Sequence, residues 1–275
     1  MEKQLIIREG TFRKEIIVSF SFLLYNIVVG DLMENITSVN NNHIKELYKL
    51  KDKKYRDSTG IFLIEGEHLI YEAYKEGLLM EVLPLIGEDF SMDTKITFIS
   101  REVMKKLSST DSIPNVIGVC RKKEDNDIGN KILILEDIQD PGNLGTIIRS
   151  SMAFDIDTIV LSPKTVDLYN SKVLRSTEGM IFHINIIIRD LVPFIKELKE
   201  DNYYIMGTKV DNGVDIRNID KKDKFVIIIG NEGKGMSTSL EELTDINLYI
   251  DMNSKVESLN AGVATSILLY EMRNK

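Results

Sequence analysis

One cysteine, Cys120, in 275 residues leaves no intrachain disulfide and no thiolate cluster for a metal. That scarcity fits a reducing cytoplasm. Histidine is also scarce: His43, His68 and His183 lie far apart without ligand spacing, so no metal site is expected. There is no excess of positive charge. The 35 Lys and Arg stand against 43 Asp and Glu, a net charge of −8, which argues against unspecific nucleic-acid binding through a positive field. Internal repeats and low-complexity tracts are absent. The apolar stretch "EIIVSFSFLLYNIVVG", residues 15–30, follows Arg13 and Lys14. It falls short of the roughly 20 residues that span a bilayer, and no Ala-x-Ala-like cleavage site follows it. Neither stable membrane association nor secretion is expected.

What is present is enough apolar material, 43 % of residues, for a proper core. The polar stretch "RKKEDNDIGN", residues 121–130, reads as a linker between two apolar strands. Ahead of it, residues 36–120 alternate as a small α/β domain. A helix at 40–55 precedes the strand "GIFLIEG". A helix at 67–77, the strands "MEVLPLIG" and "KITFIS", a short helix at 101–108 and the strand "NVIGVC" follow. Residues 131–275 hold near-continuous Val/Ile/Leu strands: "ILIL", "TIVLS", "HINIII", "YYIMGT", "FVIII" and "INLYI". Strands of that kind are buried on both faces, as in a parallel sheet flanked by helices. Ligands bind beyond the carboxyl ends of such strands, which singles out the loops after Leu135, Ile229 and Ile250.

The second of these loops, "IIIGNEGKGMS", invites a phosphate-binding reading. A Walker loop needs four residues between its first glycine and Gly-Lys, then Ser or Thr; here Gly230 and Gly233 are two residues apart and Lys234 precedes Gly235. The Rossmann glycine order is reversed as well. What is left is a buried strand running into a loop where backbone passes close to something, or an ordinary tight turn. After the first strand, Asp140 and Pro141 suit an N-cap and first helical position. In the helix to Phe154, Leu144, Ile147, Ile148 and Ser151 face the sheet and Arg149 points off that stripe. After the last strand a helix is expected with Val256, Leu259, Val263 and Ile267 on one side. Ala261, Gly262, Ala264 and Ser266 would admit another backbone. A helical glycine costs about 1 kcal/mol relative to alanine, which close packing at Gly262 would offset. The segment "HIKELYKLKDKKYR", residues 43–56, carries six Lys and Arg against two acids. Ile44, Leu47, Tyr48 and Leu50 are placed to pack while the basic face looks outward. That face is either a solvated surface or an RNA contact.

Together, in this order, "DPGNLGTIIRSSMAF", "IIIGNEGKGMS" and "VESLNAGVATSILLYE" resemble the three motifs of the TrmH/SpoU family of the SPOUT superfamily. "LYNSKVLRSTEGMIFHI" is similar to the family's intermediate Arg-x-Ser-x-Gly segment. The resemblance covers essentially everything after residue 33. It implies an α/β fold in which a C-terminal SPOUT trefoil-knot domain with a parallel sheet follows a small ribosomal-protein-like α/β RNA-binding domain. It implies an S-adenosylmethionine-dependent RNA ribose 2′-O-methyltransferase, directed at 23S rRNA. A tRNA-directed enzyme and a catalytically inactive RNA-binding relative are the alternatives. Carried over to this chain, the motifs place Asn143, Arg149, Glu232, Ser258 and Asn260 around the reaction. Gly230, Ile250, Met252 and Leu259 fall at the S-adenosyl-L-methionine, and Lys51, Lys53, Lys54, Arg56 and Arg175 at RNA. Homodimerisation, with the active site at the interface, comes with the resemblance; the small-residue face of the last helix would suit it. Arginine is rarely deprotonated, so Arg149 is expected to orient the 2′-oxygen and stabilise developing charge, with transient base action left open.

One departure concerns Ile250-Asp251-Met252, where many relatives have Ile-Pro-Met; losing a rigid proline should loosen that loop. Residues 1–35 are expected to be an extension outside the fold. A natural start at Met33 is expected, since the Gly30-Asp31 codons can hold a ribosome-binding sequence one codon upstream of it.

Overall fold

The computed structural model describes residues 34–210, 213–220 and 222–273. The expected start at Met33 and the segment before it lie outside the described residues. The first module contains β1 (Glu34–Ile36), α1 (Asn42–Lys49), α2 (Lys53–Thr59), β2 (Ile61–Glu65) and α3 (Glu67–Lys75). It continues through β3 (Leu79–Pro84), β4 (Lys95–Ile99), α4 (Arg101–Leu107) and β5 (Val116–Arg121). Its five strands lie in the order β1-β4-β3-β5-β2, with β5 antiparallel to both neighbours.

Two expectations change here. Glu34 and Asn35 belong to the fold, because β1 pairs in parallel with β4 through Glu34–Thr97 and Asn35–Phe98. The expected helix over 40–55 is two helices. Asp52 turns its carboxylate back to accept from the Tyr55 amide at 3.1 Å and caps a new helix, the local competition with the helix ladder at which aspartate excels.

The second module contains β6 (Lys131–Leu135), α5 (Pro141–Ala153), β7 (Thr158–Leu161), α6 (Ser171–Ser176), β8 (Asn185–Ile188) and α7 (Leu191–Glu200). It ends with β9 (Tyr204–Thr208), β10 (Val214–Asp215), β11 (Phe225–Ile229), α8 (Thr238–Glu241), β12 (Ile246–Tyr249) and α9 (Ala261–Arg273). Every pairing in its seven-stranded sheet, β10-β12-β9-β11-β6-β7-β8, is parallel. The central β11 is buried along its whole length, as a strand covered on both faces must be.

The modules share one core. Phe62, Ile64 and Ile70 belong to the same buried cluster as Leu133, Leu144 and Ile159. Phe62 lies 4.6 Å, centroid to centroid, from Tyr169 and 6.4 Å from Phe182. Burial pushes the Tyr169 phenol up to about 12, with nearby Asp167 adding to it. Arg56 crosses the same seam to Asp167. The segment 121–130 is tied down along this seam: Lys123 donates to Phe182 O at 3.2 Å and Arg189 to Asp125 at 3.0 Å. No helix among the described residues is long and apolar enough to cross a membrane.

Candidate active site

Three strand ends converge as the parallel sheet requires. Asp140 caps α5, accepting from the Asn143 amide at 2.8 Å, with Pro141 in the first turn. Leu144, Ile147, Ile148 and Ser151 are buried beneath it, and Arg149 is exposed.

The loop after β11 is closed on itself. Asn231 and Gly235 exchange backbone hydrogen bonds of 3.0 and 2.9 Å. The Asn231 side-chain oxygen accepts from the Gly233 and Lys234 amides at 3.0 and 3.1 Å, and Glu136 accepts from the Ser237 amide at 2.8 Å. A phosphate cradle needs those amides free; here they are spent inside the loop. The glycine requirement is steric. A Cβ on Gly230 would sit 2.2 Å from Met236 N and 2.3 Å from Gly235 C.

This closed loop walls a cavity of about 490 Å³ with the ends of β9 and β12, the segment 257–259 and the first turns of α9. That lies within the range of about 300–1,000 Å³ typical of small-molecule pockets. Gly230, Ile250, Met252 and Leu259 all line it, as do Glu232 and Ser258. Lys209 and Glu257, not singled out from sequence, line it too. Lys209, ion-paired with Glu241, follows β9. Since β9 neighbours both β11 and β12, its end was bound to contribute once the strand order was known.

Asn143, Glu232 and Asn260 form a hydrogen-bonded chain. Asn143 Nδ2 donates to Glu232 at 3.1 Å, and Asn260 Nδ2 donates to Asn143 Oδ1 at 2.8 Å. Glu232 also accepts from the Gln139 and Asp140 amides at 3.2 Å each, at the mouth of α5. Burial works to raise the Glu232 carboxyl, but the Asn143 bond and the backbone amides outweigh it and hold the group below its ordinary range. It is therefore an ionised acceptor at neutral pH, favoured by the positive end of the helix.

Arg149 stands apart from this chain and from the cavity lining. It lies in the exposed row Thr146, Arg149, Met152 of α5, beside α9. The last helix differs from expectation. Val256 and Leu259 precede it, and Val256, Val263 and Ile267 are 47 %, 47 % and 36 % exposed. The small residues do admit another backbone, but it is this chain's own α5: a Cβ on Gly262 would meet Thr146 at 3.1 Å, and Ser266 and Ser150 are 2.6 Å apart. The small face is therefore not free to meet a second copy.

The expected RNA contacts divide. Lys54 and Lys53 are exposed, Lys53 pairing with Asp57 at 2.7 Å. Lys51 donates to Ser108 O at 2.8 Å. Arg56 is no part of a basic face: it is 7 % exposed and donates to Leu50 O and Lys51 O at 2.6 and 2.9 Å as well as to Asp167. The helix break at Asp52 is what turns it inward. Arg175 is half-buried, with a buried Nη1 that has no partner. The histidines take carboxylate or carbonyl partners: His43 with Glu81, His183 with Glu72 and Glu76, and His68 with Glu178 O.

Comparison with known proteins follows the same two modules. Residues 130–270 match the SpoU rRNA Methylase family, and residues 41–118 match the MRM3-like substrate binding domain. The chain is 38 % identical over 247 residues to the 23S rRNA (guanosine(2553)-2′-O)-methyltransferase RlmP of Bacillus subtilis, covering 88 % of this chain and 100 % of that protein. It resembles an AdoMet-bound rRNA methyltransferase from Sinorhizobium meliloti with a TM-score of 0.78 and 26 % identity, covering 88 % of this chain and 98 % of the other. An RNA 2′-O ribose methyltransferase aligns with a TM-score of 0.75 and 28 % identity over 86 % of this chain and 97 % of the other. With both modules matched in order and two of the three motif segments lining one cavity, the chain belongs to the SpoU rRNA methylase family of SPOUT-fold RNA methyltransferases.

Proposed function

We propose that this protein transfers a methyl group from S-adenosyl-L-methionine to the ribose 2′-oxygen of a guanosine in 23S rRNA, acting in the cytoplasm as a homodimer. The observation that carries the reading is the 38 % identity extending over the whole length of the Bacillus 23S rRNA enzyme, substrate-binding module included.

The cavity suits the donor. Its apolar walls, Ile229, Leu248, Ile250 and Leu259, stand beside a glycine loop that presents backbone rather than bulk. Gly230, Ile250, Met252 and Leu259 would hold the cofactor, which supplies an electrophilic methyl on a sulfonium. The protein's task is then alignment of the ribose and care of its hydroxyl proton. Glu232 fixes Asn143 and the α5 N-terminus against the glycine loop. Asn260 links α9 to that assembly. Ser258 presents an exposed hydroxyl at the cavity. Arg149 supplies fixed positive charge for the 2′-oxygen and a neighbouring phosphate.

Arg149 is not at its own chain's cavity, and this supports the dimer. It lies on a face with exposed Met152, Val263, Ile267 and Tyr270, an apolar patch of the kind that protein interfaces cover. On this reading two copies pair through this face and each Arg149 serves the partner's cavity.

The test is ribose-methylation mapping by mass spectrometry of 23S rRNA and tRNA from a deletion strain. One 23S guanosine should lose its 2′-O-methyl group, and the purified protein with S-adenosylmethionine should restore it. Loss from tRNA instead would move the substrate. RNA binding without transfer would support the inactive alternative.

A further inference from the structure

Tyr48 was expected in the packing stripe of the first helix, yet 45 % of it is exposed. It lies on an open cavity of about 600 Å³ at the corner between α1 and α2, shared with Lys49, Lys51, Lys54 and Tyr55. Two ammonium groups lie over its ring, Lys51 Nζ at 5.2 Å and Lys106 Nζ at 5.3 Å from the centroid. Neither lysine is a free surface chain. Lys51 donates to Ser108 O and Lys106 to Val39 O, each at 2.8 Å. The second ring is held as well: Tyr55 donates its hydroxyl to Glu46 at 2.5 Å, and Lys49 lies 5.5 Å from its centroid. Asp52, the one acid lining the bay, is engaged in capping α2.

We propose that Tyr48 is a stacking platform for an unpaired base of the RNA substrate, with Lys51, Lys54 and Lys106 meeting the flanking phosphates; this rests on the RNA-methyltransferase reading. A ring 45 % exposed beneath tethered cations adds little to a core. It does match what an unstacked nucleotide offers, a π-face on a backbone of negative charge. The open ring suits a looped-out nucleotide, whose face is unstacked, better than a duplex, whose faces are already stacked. The bay is also fixed relative to the methyl-transfer cavity. Arg56 grips the carbonyls of Leu50 and Lys51 at this corner and crosses to Asp167 in the other module. A base held on Tyr48 would set which ribose reaches the cavity, adding register to an affinity that lysines alone supply without it.

The chain contains no tryptophan, so Tyr48→Trp introduces a single indole whose fluorescence a stacked base quenches. The probe is a transcribed 23S rRNA fragment carrying the guanosine mapped above. Quenching should saturate over the RNA concentrations at which the wild-type chain binds. Tyr48→Ala should weaken binding roughly 5- to 150-fold, the range for loss of one stacked base, with an unchanged salt slope and unchanged cofactor affinity. Tyr48→Phe should bind nearly as wild type. Charge reversal at Lys51 and Lys54 should instead flatten the salt slope. An unquenched tryptophan, or an alanine variant that binds the fragment as well as wild type does, overturns the stacking role and leaves the enzyme reading intact. A wild-type chain that neither binds nor methylates the fragment overturns both.

Discussion

Replacing Arg56 with alanine should destabilise the whole chain before it alters any RNA contact. The side chain is 7 % exposed and holds two carbonyls of the α1–α2 corner together with the Asp167 carboxylate. Removing one partner of a buried ion pair typically costs about 3–5 kcal/mol, because the other is left without compensation. Two features reduce that here. The Asp167 side chain keeps 19 % of its exposure, so water can reach it. Arg56 Nε is itself buried without a partner, a penalty of about 1–3 kcal/mol that the substitution removes. The net loss is then about 1–3 kcal/mol, which for a chain of this size lowers the melting temperature by about 2–12 °C. Thermal unfolding followed by circular dichroism without RNA or cofactor measures it. Asp167→Asn should act in the same direction but less strongly, and a double-mutant cycle should show coupling. An Arg56→Ala chain that melts within a degree of wild type while losing RNA affinity would refute this, and would return Arg56 to the RNA-facing role its place in a basic segment suggests.

Glu232→Gln should weaken S-adenosylmethionine binding about tenfold by calorimetry, since a hydrogen bond to a charged group is worth about 1.5 kcal/mol at the low end appropriate to an exposed site. Because the folded state depresses the Glu232 carboxyl below its ordinary 4.5, its contribution is fully present above pH 4.5 and lost as pH falls further through the folded value. Wild-type cofactor affinity should therefore show no titration of this group between pH 7 and 5. Ile267→Glu should convert a dimer to monomers in sedimentation, and a stable, active wild-type monomer would contradict the proposed interface. Arg149→Ala should keep fold and cofactor binding but lose about 10²–10³ in rate; mixing it with Gly230→Val chains, whose side chain would collide with the backbone of Met236 in the cofactor loop, should recover activity if Arg149 serves the partner's cavity, and recover none if it serves its own. Arg217→Ala should raise the KM for cofactor by about 1.5- to 5-fold, as loss of an exposed ion pair would, with kcat unchanged; no effect on KM would detach Arg217 from the loop.

The strands were legible because their apolar runs are long and buried on both faces. "ILIL" and "FVIII" pair residue for residue from Lys131–Phe225 to Leu135–Ile229, and a parallel sheet then dictates which loops form the site. Less legible was everything decided by a distant partner. β1 has three residues and is a strand only because β4, some 60 residues on, offers an edge. Arg56 sits in a run of lysines, and nothing local says that it turns inward; a break at Asp52 and an acid at Asp167 decide it. The Val263 and Ile267 stripe has the periodicity of a buried face, but Gly262, Thr265 and Ser266 give α9 a closer fit to α5 through small side chains. The apolar stripe therefore faces outward, where a second copy would find it. Gly230, Ile250, Met252 and Leu259 were picked out by resemblance to motifs and fall on one cavity wall, whereas the linkage among Asn143, Glu232 and Asn260 is a property of the fold.

The departure at Ile250-Asp251-Met252 shows how the two kinds of information meet. Read as sequence, aspartate in place of a rigid ring removes a restraint from the cavity wall. In the structure Asp251 accepts from Arg217 at 3.2 Å, and Arg217 is gripped by Asp215, through Nε at 3.0 Å and through Nη2. Asp215 is buried at the end of β10, and β10 pairs directly with β12, the strand that leads into Ile250. The restraint has moved from the backbone of one residue to an ion pair anchored on the neighbouring strand. The two devices are not equal. Proline restricts the chain in the unfolded state as well and is insensitive to salt, whereas an exposed pair is screened. A loop held this way keeps its position at low ionic strength and yields as salt rises, so cofactor affinity in this chain should carry a salt dependence that an Asp251→Pro chain lacks.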